Sequence, residues 1–168
     1  MHTNKLLDLP EATMRTSFII IITLLVTSCV PVTERSIPAG YEGPRAVIKS
    51  TSKAYSGSEA TLFYLKEVDG RLINNALLRA EVLSNATNSH LIADPEKTQV
   101  RTGPIKLKLV ATRVIATPPG FSLKTQELGF KELVVNIESD KIYMVKGEEQ
   151  SGTARLWLEN SITSETFE

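Results

Sequence analysis

The segment Ile105-Lys106-Leu107-Lys108-Leu109 decides the fold, because its side chains alternate strictly between apolar and charged. This period-two alternation is typical of an antiparallel strand with one face in the core and the other in water. We therefore expect the isoleucine and the leucines to face the core and the lysines to face solvent. The run continues to Ala116, which predicts a long or bulged strand that Thr117-Pro118-Pro119-Gly120 ends.

Shorter segments on both sides of this strand also have sequences typical of strands. We predict further strands at residues 46–48, 60–68, 71–73, 133–138, 141–146 and 154–159. Asp69-Gly70 and Ser139-Asp140 are typical turn sequences between them. Residues 77–83 fit either a strand or a helical turn, and the neighbouring strands favour a strand. Residues 85–98, 121–129 and 147–152 read as loops and turns.

Regularly spaced strands separated by turns predict an all-β domain, a single antiparallel β-sandwich over residues 45–162. The last three strands are expected to form an antiparallel meander, and residues 163–168 a polar tail. A sandwich has edge strands with unpaired backbone groups, for which the strand at Ala46 and the segment at residues 77–83 are the candidates.

An apolar run near the N-terminus, from Phe18 to Val26, follows Arg15 and precedes the small residues Thr27 and Ser28. It is shorter than a membrane span and has the length of a signal-peptide core. Val26-Thr27-Ser28-Cys29 resembles the lipobox of bacterial lipoproteins. The resemblance implies cleavage between Ser28 and Cys29 and acylation of Cys29. An ordinary secretory signal or a buried helix is the alternative.

Residues 1–28 are thus predicted to be a signal peptide, with Met14 as an alternative start. Residues 29–44, rich in proline and glycine, are predicted to be a flexible lipidated tether, and a first strand near Ile37 and Tyr41 is the alternative. Two or three acyl chains give a lasting membrane anchor. Val30 in place of an aspartate after the cysteine favours the outer membrane.

Composition excludes several classes of function. The chain has 19 basic and 19 acidic residues, and this neutrality argues against a nucleic-acid partner. With its single cysteine acylated, no thiol remains for a disulfide, a metal site or a nucleophile. His90 is the only histidine after the predicted cleavage site, and no nucleophile motif accompanies it. Glu148 and Glu149 read as solvated. We therefore expect no catalytic residue, metal or cofactor, and a protein that is not an enzyme.

Aromatic side chains are the remaining candidates for binding. Tyr64, Tyr143 and Trp157 lie on predicted strands, where exposed rings stack on sugars and buried rings fill the core. Burial is the stronger expectation. Tyr143 and Trp157 fall on neighbouring strands and are predicted to pair across them.

Four short segments complete the sequence picture: Gly43-Pro44-Arg45-Ala46, Val68-Asp69-Gly70, residues 141–145 (KIYMV) and residues 155–159 (RLWLE). Together with the lipobox they resemble small proteobacterial envelope lipoproteins. The resemblance implies an immunoglobulin-like or transthyretin-like sandwich. We expect the lipid anchor to hold it at the outer membrane, facing the periplasm. We expect a non-enzymatic adaptor, or an assembly or secretion accessory, that binds an envelope protein. A module for glycan or peptidoglycan is the alternative.

Overall fold

The computed structural model describes residues 35–75, 77, 96–117 and 122–168. The predicted signal peptide, Cys29, His90 and residues 78–83 lie outside the described residues. The described residues form ten strands in this order: β1 (Arg45–Lys49), β2 (Thr51–Ser56), β3 (Glu59–Val68), β4 (Arg71–Leu72), β5 (Lys97–Arg101), β6 (Gly103–Thr117), β7 (Ser122–Ile137), β8 (Ile142–Gln150), β9 (Thr153–Asn160) and β10 (Thr166–Phe167).

Two sheets pack face to face, which confirms the predicted all-β sandwich. Sheet I has the order β10-β9-β8-β1-β5, and sheet II has the order β2-β3-β6-β7 with β4 beside β3. The pairings are antiparallel except that of β1 with β8, which is parallel. The chain changes sheet twice across one residue, at Ser50 between β1 and β2 and at Thr102 between β5 and β6.

This order corrects two predictions. The last three long strands do not form a meander, because β7 pairs with β6 in sheet II while β8 pairs with β9 in sheet I. The strand at Ala46 is not an edge, because β1 lies between β8 and β5. Among the described strands, β10 and β5 end sheet I, while β2 and β7 end sheet II.

The strand at Ile105 is as long as the sequence predicts, and its partner is longer than predicted. β6 pairs with β7 from Gly103 opposite Ile137 to Thr117 opposite Ser122. The prediction of a loop over residues 121–129 is therefore wrong from Ser122 onward. The register shifts beside Ala111, where β7 carries Leu128 as an extra residue, a β-bulge.

Other boundaries also differ from the predictions. β2 and β5 were not predicted as strands, and β5 begins within the predicted loop at residues 85–98. β8 extends to Gln150, so the turn predicted at residues 147–152 shrinks to Ser151-Gly152. Part of the predicted polar tail is β10, which pairs with β9. The Asp69-Gly70 turn is confirmed, and both residues have the positive φ, 51° and 76°, that a primed turn needs.

The main core lies between the sheets, where the apolar side chains predicted at Ile105, Leu107 and Leu109 are almost fully buried. Each such side chain stabilises the fold by about 2 kcal/mol through the water it excludes. A second, smaller cluster lies on the outer face of sheet II: Leu62, Tyr64, Val110 and Val114, with Leu77 and Leu123 against it. β3 is therefore buried on both faces along its middle.

The second half of the predicted tether contacts the domain without forming a strand. Ser36 Oγ donates a hydrogen bond to the carbonyl oxygen of Gln99 at 2.7 Å, on the edge strand β5. A turn then brings Tyr41 N to within 3.2 Å of the Pro38 carbonyl oxygen. Arg45 holds the end of this segment by donating to the Tyr41 carbonyl oxygen at 3.1 Å. We call residues 35–41 the strap.

Candidate functional site

Two of the three aromatic candidates for stacking on sugars, Tyr64 and Tyr143, are core residues, which is the stronger of the two expectations for them. Tyr64 is 2% exposed and Tyr143 is 1% exposed. The Tyr64 hydroxyl lies 3.1 Å from Thr112 Oγ1, and burial raises the pKa of Tyr64 more than this hydrogen bond lowers it. The Tyr143 hydroxyl accepts from the Glu138 N–H at 3.1 Å, and its ring meets that of Phe167 edge to face.

Trp157 is the one predicted stacking residue that remains partly accessible. It lies on β9 opposite Lys146 of β8, on the outer face of sheet I. Tyr143 lies opposite Asn160, so the predicted pairing of Tyr143 with Trp157 is wrong. One half-buried indole is a much smaller platform than the three rings that the sequence suggested.

β7 forms one edge of sheet II and exposes two large apolar side chains. Its core-facing side chains Leu133, Val135 and Ile137 are buried. On the opposite face, Phe130 is 59% exposed and Val134 is 78% exposed. Soluble domains expose large apolar side chains near a free sheet edge at the risk of association, so such an edge is a candidate interaction surface.

Charged side chains surround these two apolar residues in a fixed pattern. Glu132 lies between them on the same face and forms an ion pair with Lys106 at 2.7 Å. This contact lowers the pKa of Glu132 and raises that of Lys106. Lys108 Nζ lies 5.2 Å from the centroid of the Phe130 ring, a cation–π distance. The outer face of β7 therefore carries two exposed apolar side chains, Phe130 and Val134, among charged side chains of both signs.

The other face of β7 carries a charge next to Phe130. Lys131 lies opposite Leu109, on the core-facing side of the strand, but is exposed at the edge. A charged residue pointing inward on an edge strand is a device that natural sheets use against indiscriminate pairing. The bulge at Leu128 adds to this, because it breaks the regular ladder beside it. An extended segment that pairs here must therefore accommodate Lys131.

The exposure of Phe130 has a signal in the sequence. Phe130 is four residues before Val134, so the two side chains share a face in a strand of period two. The predicted strand begins at residue 133, after a predicted loop at residues 121–129, and so does not include Phe130.

A second polar arrangement closes one end of the sandwich, around Glu149. Glu148 is exposed as predicted, but the Glu149 side chain is only 11% exposed, so the prediction of a solvated carboxylate is wrong for Glu149. Glu149 accepts hydrogen bonds from Tyr55 at 2.9 Å, from Thr61 at 3.1 Å and from Arg113 at a shorter distance. Four strands, β2, β3, β6 and β8, thus meet at one carboxylate.

The pKa of Glu149 shows that these contacts outweigh the cost of burial. Burial is the largest influence and raises the pKa, but the hydrogen bonds from Tyr55, Arg113 and Thr61, with the charge of Arg113, lower it overall. The guanidinium also lies 5.5 Å from the Tyr55 ring centroid. This arrangement holds an ionised carboxylate between the two sheets, which is a structural role.

No group of three or more histidine, cysteine, aspartate and glutamate side chains in residues 35–75, 77, 96–117 and 122–168 is placed to hold a metal ion. Over the same ranges, no helix is long and apolar enough to cross a membrane. Ser28 and Cys29, the predicted cleavage and acylation positions, fall outside these ranges. Comparison of the chain with protein-family models, with curated proteins and with solved structures gave no match.

Proposed function

We propose that this chain is a non-enzymatic, lipid-anchored envelope protein that binds an extended segment of a partner protein along β7. The observation that carries the proposal is a 16-residue edge strand with Phe130 and Val134 exposed on one face. Strand addition at such an edge gains affinity from backbone hydrogen bonds and specificity from alternating side chains. The lipobox at Cys29 supports the membrane anchor.

The side chains of β7 define the chemistry of the partner segment. Residues opposite each other in a sheet point to the same face, so apolar partner residues belong opposite Phe130 and Val134. An acidic residue belongs opposite Lys131, because a like charge there would be repelled. The partner segment therefore combines two apolar residues four positions apart on one face with a carboxylate on the other.

The predicted lipid anchor determines where in the envelope this adaptor acts. With acyl chains on Cys29, the domain is held at the outer membrane and faces the periplasm, where a partner edge or an unstructured segment of an assembling envelope protein is within reach. An assembly or secretion accessory is the role that this arrangement serves best.

In-cell photo-crosslinking tests the proposal. A benzophenone amino acid at Val134 is expected to crosslink to one discrete envelope protein, because that side chain lies at the proposed interface. The same probe at Lys53, an exposed residue of β2 at the opposite edge of sheet II, is the matched control and is expected to give no such product. Equal products at both positions, or none at Val134, would contradict the proposal.

A charge change refines the same experiment. Lys131→Glu is expected to reduce the Val134 crosslink strongly, because it places a carboxylate opposite the acidic residue proposed for the partner. Lys131→Arg keeps the charge and is expected to preserve the crosslink. A product that is insensitive to both substitutions would indicate contact by the sheet face without pairing along the edge.

Glycan binding is the alternative, and the partial exposure of Trp157 is what supports it. Indole fluorescence reports directly on ring stacking, and this is the only tryptophan in the chain. A spectrum unchanged by soluble cell-wall fragments would rule against the glycan module, and a saturable shift would favour it over the adaptor.

A further inference from the structure

A cleft of about 490 Å³ lies between the strap and the edge of sheet I. Of the described residues that line it, Arg35, Arg45 and Lys97 are cationic and Glu96 is acidic. Among the described residues, this is a local excess of positive charge in a chain that is neutral as a whole. The cleft is thus electrostatically suited to an anion.

The three cations have different tasks. Arg45 is engaged in holding the cleft together, since it donates to Gln99 Oε1 at 3.2 Å and to the Tyr41 carbonyl oxygen at 3.1 Å. Arg35 and Lys97 are exposed and take part in none of the ion pairs between described residues. Two cationic side chains therefore remain available to a ligand.

The cleft is close in sequence to Cys29, the predicted acylation site. Six residue steps separate Cys29 from Arg35. At about 3.5 Å per residue, these steps reach about 20 Å at most. If Cys29 carries the acyl chains, the cleft cannot be far from the layer of lipid headgroups, where phosphate groups are abundant.

We propose that this cleft binds a phosphate ester, with Arg35 and Lys97 as its ligands, and that an anionic lipid headgroup beside the anchor supplies it. The headgroup source rests on the lipid anchor of the proposed function, whereas the phosphate chemistry rests on the cleft alone. Occupancy would draw the strap and β5 onto the membrane and leave β7, an edge of the other sheet, open to a partner.

Hydrogen exchange in lipid nanodiscs tests this. The acylated chain is placed in phosphatidylcholine discs with an increasing share of phosphatidylglycerol, and exchange is followed at residues 35–41 and 96–99. Protection is expected to rise with the anionic lipid. Arg35→Gln and Lys97→Gln are each expected to raise the share of phosphatidylglycerol needed for half-maximal protection about fivefold. This factor corresponds to the loss of one cation near an anionic surface.

Lys124→Gln is the matched control, because Lys124 is an exposed lysine on β7 that does not line the cleft. An equal loss with this variant would show general charge attraction and overturn the site. Thermal unfolding of each variant at the wild-type temperature confirms that the fold is retained.

Glycerol phosphate added to neutral discs separates the two sources. Protection by glycerol phosphate and by anionic discs supports a site that takes headgroups, and protection by glycerol phosphate alone assigns a free phosphate ester as the ligand. Protection by neither overturns the proposal. Intact mass reports acylation of Cys29 independently, so a missing anchor is distinguished from an inert cleft.

Discussion

Replacing Glu149 with glutamine removes the one charge that ties four strands together while keeping the shape of the side chain. In the native domain this carboxylate accepts from Tyr55, Thr61 and Arg113. The hydroxyls of Tyr55 and Thr61 can rotate to serve an amide. The Arg113 guanidinium can only donate. If the amide oxygen faces it, the hydrogen bond remains but the charge attraction is lost, and if the amide nitrogen faces it, two donors oppose each other.

The magnitude follows from that loss. A hydrogen bond to a charged group stabilises a protein by about 1.5–3 kcal/mol. The Glu149 side chain is 11% exposed and that of Arg113 is 29% exposed, so solvent screens the pair only in part. We expect Glu149→Gln to lower the free energy of unfolding by about 2 kcal/mol at pH 7. For a domain of this size the midpoint of thermal unfolding falls by about 7 °C.

The effect must vanish in acid. The contacts lower the pKa of Glu149 below that of an unfolded glutamate, about 4.3. The carboxylate therefore contributes its full stabilisation above that value and loses it as the pH falls through the folded pKa. Urea unfolding from pH 7 down to pH 3 should show the wild type and Glu149→Gln converging below about pH 4.

Glu148→Gln is the control, because Glu148 is the adjacent residue and is exposed. It should change stability by less than about 0.5 kcal/mol at any pH in this range. A Glu149→Gln variant as stable as the Glu148→Gln variant at pH 7 would refute the reasoning, and so would a difference that persists unchanged at pH 3.

Two further outcomes follow from packing and burial. A Cβ at Gly147 would lie 2.5 Å from Phe63 Cε1, so Gly147→Ala should lower stability by about 2 kcal/mol in thermal unfolding, whereas a Cβ at Gly57 meets nothing within 4 Å and Gly57→Ala should change it little. Because burial raises the pKa of Tyr64, ultraviolet titration should show the Tyr64 phenol ionising later than free tyrosine, and stability should fall as the pH rises above about 10. Tyr64→Phe should remove this late component, and a late component that the substitution leaves unchanged would contradict the assignment to Tyr64.

The sequence predicted strands correctly where one face of the strand lies in the core and the other is exposed to solvent. Alternation in Ile105-Lys106-Leu107-Lys108-Leu109 marked the core-facing side chains of β6 correctly. β7 was missed over residues 124–127 because that stretch is exposed on both faces and carries no alternation. Leu128 then shifts the period by one residue, so the two halves of β7 cannot be read as one pattern.

Pairing between distant segments left no local signal. Nothing near Ala46 indicates a parallel partner at Ile142 or an antiparallel one at Thr98, and these contacts make β1 an interior strand. The environment of Glu149 is equally remote, because its partners come from residues 36 to 94 positions away. Exposure of Tyr64 could not be judged for the same reason, since the outer face of sheet II is covered by a second cluster.

The most direct test of strand addition is hydrogen exchange of the anchored chain with and without the partner that the Val134 crosslink identifies. Strand addition predicts slower exchange confined to alternate backbone amides of residues 130–137, with β2 and β10 unchanged. Protection at β2 or β10, or no protection along β7, would contradict the account.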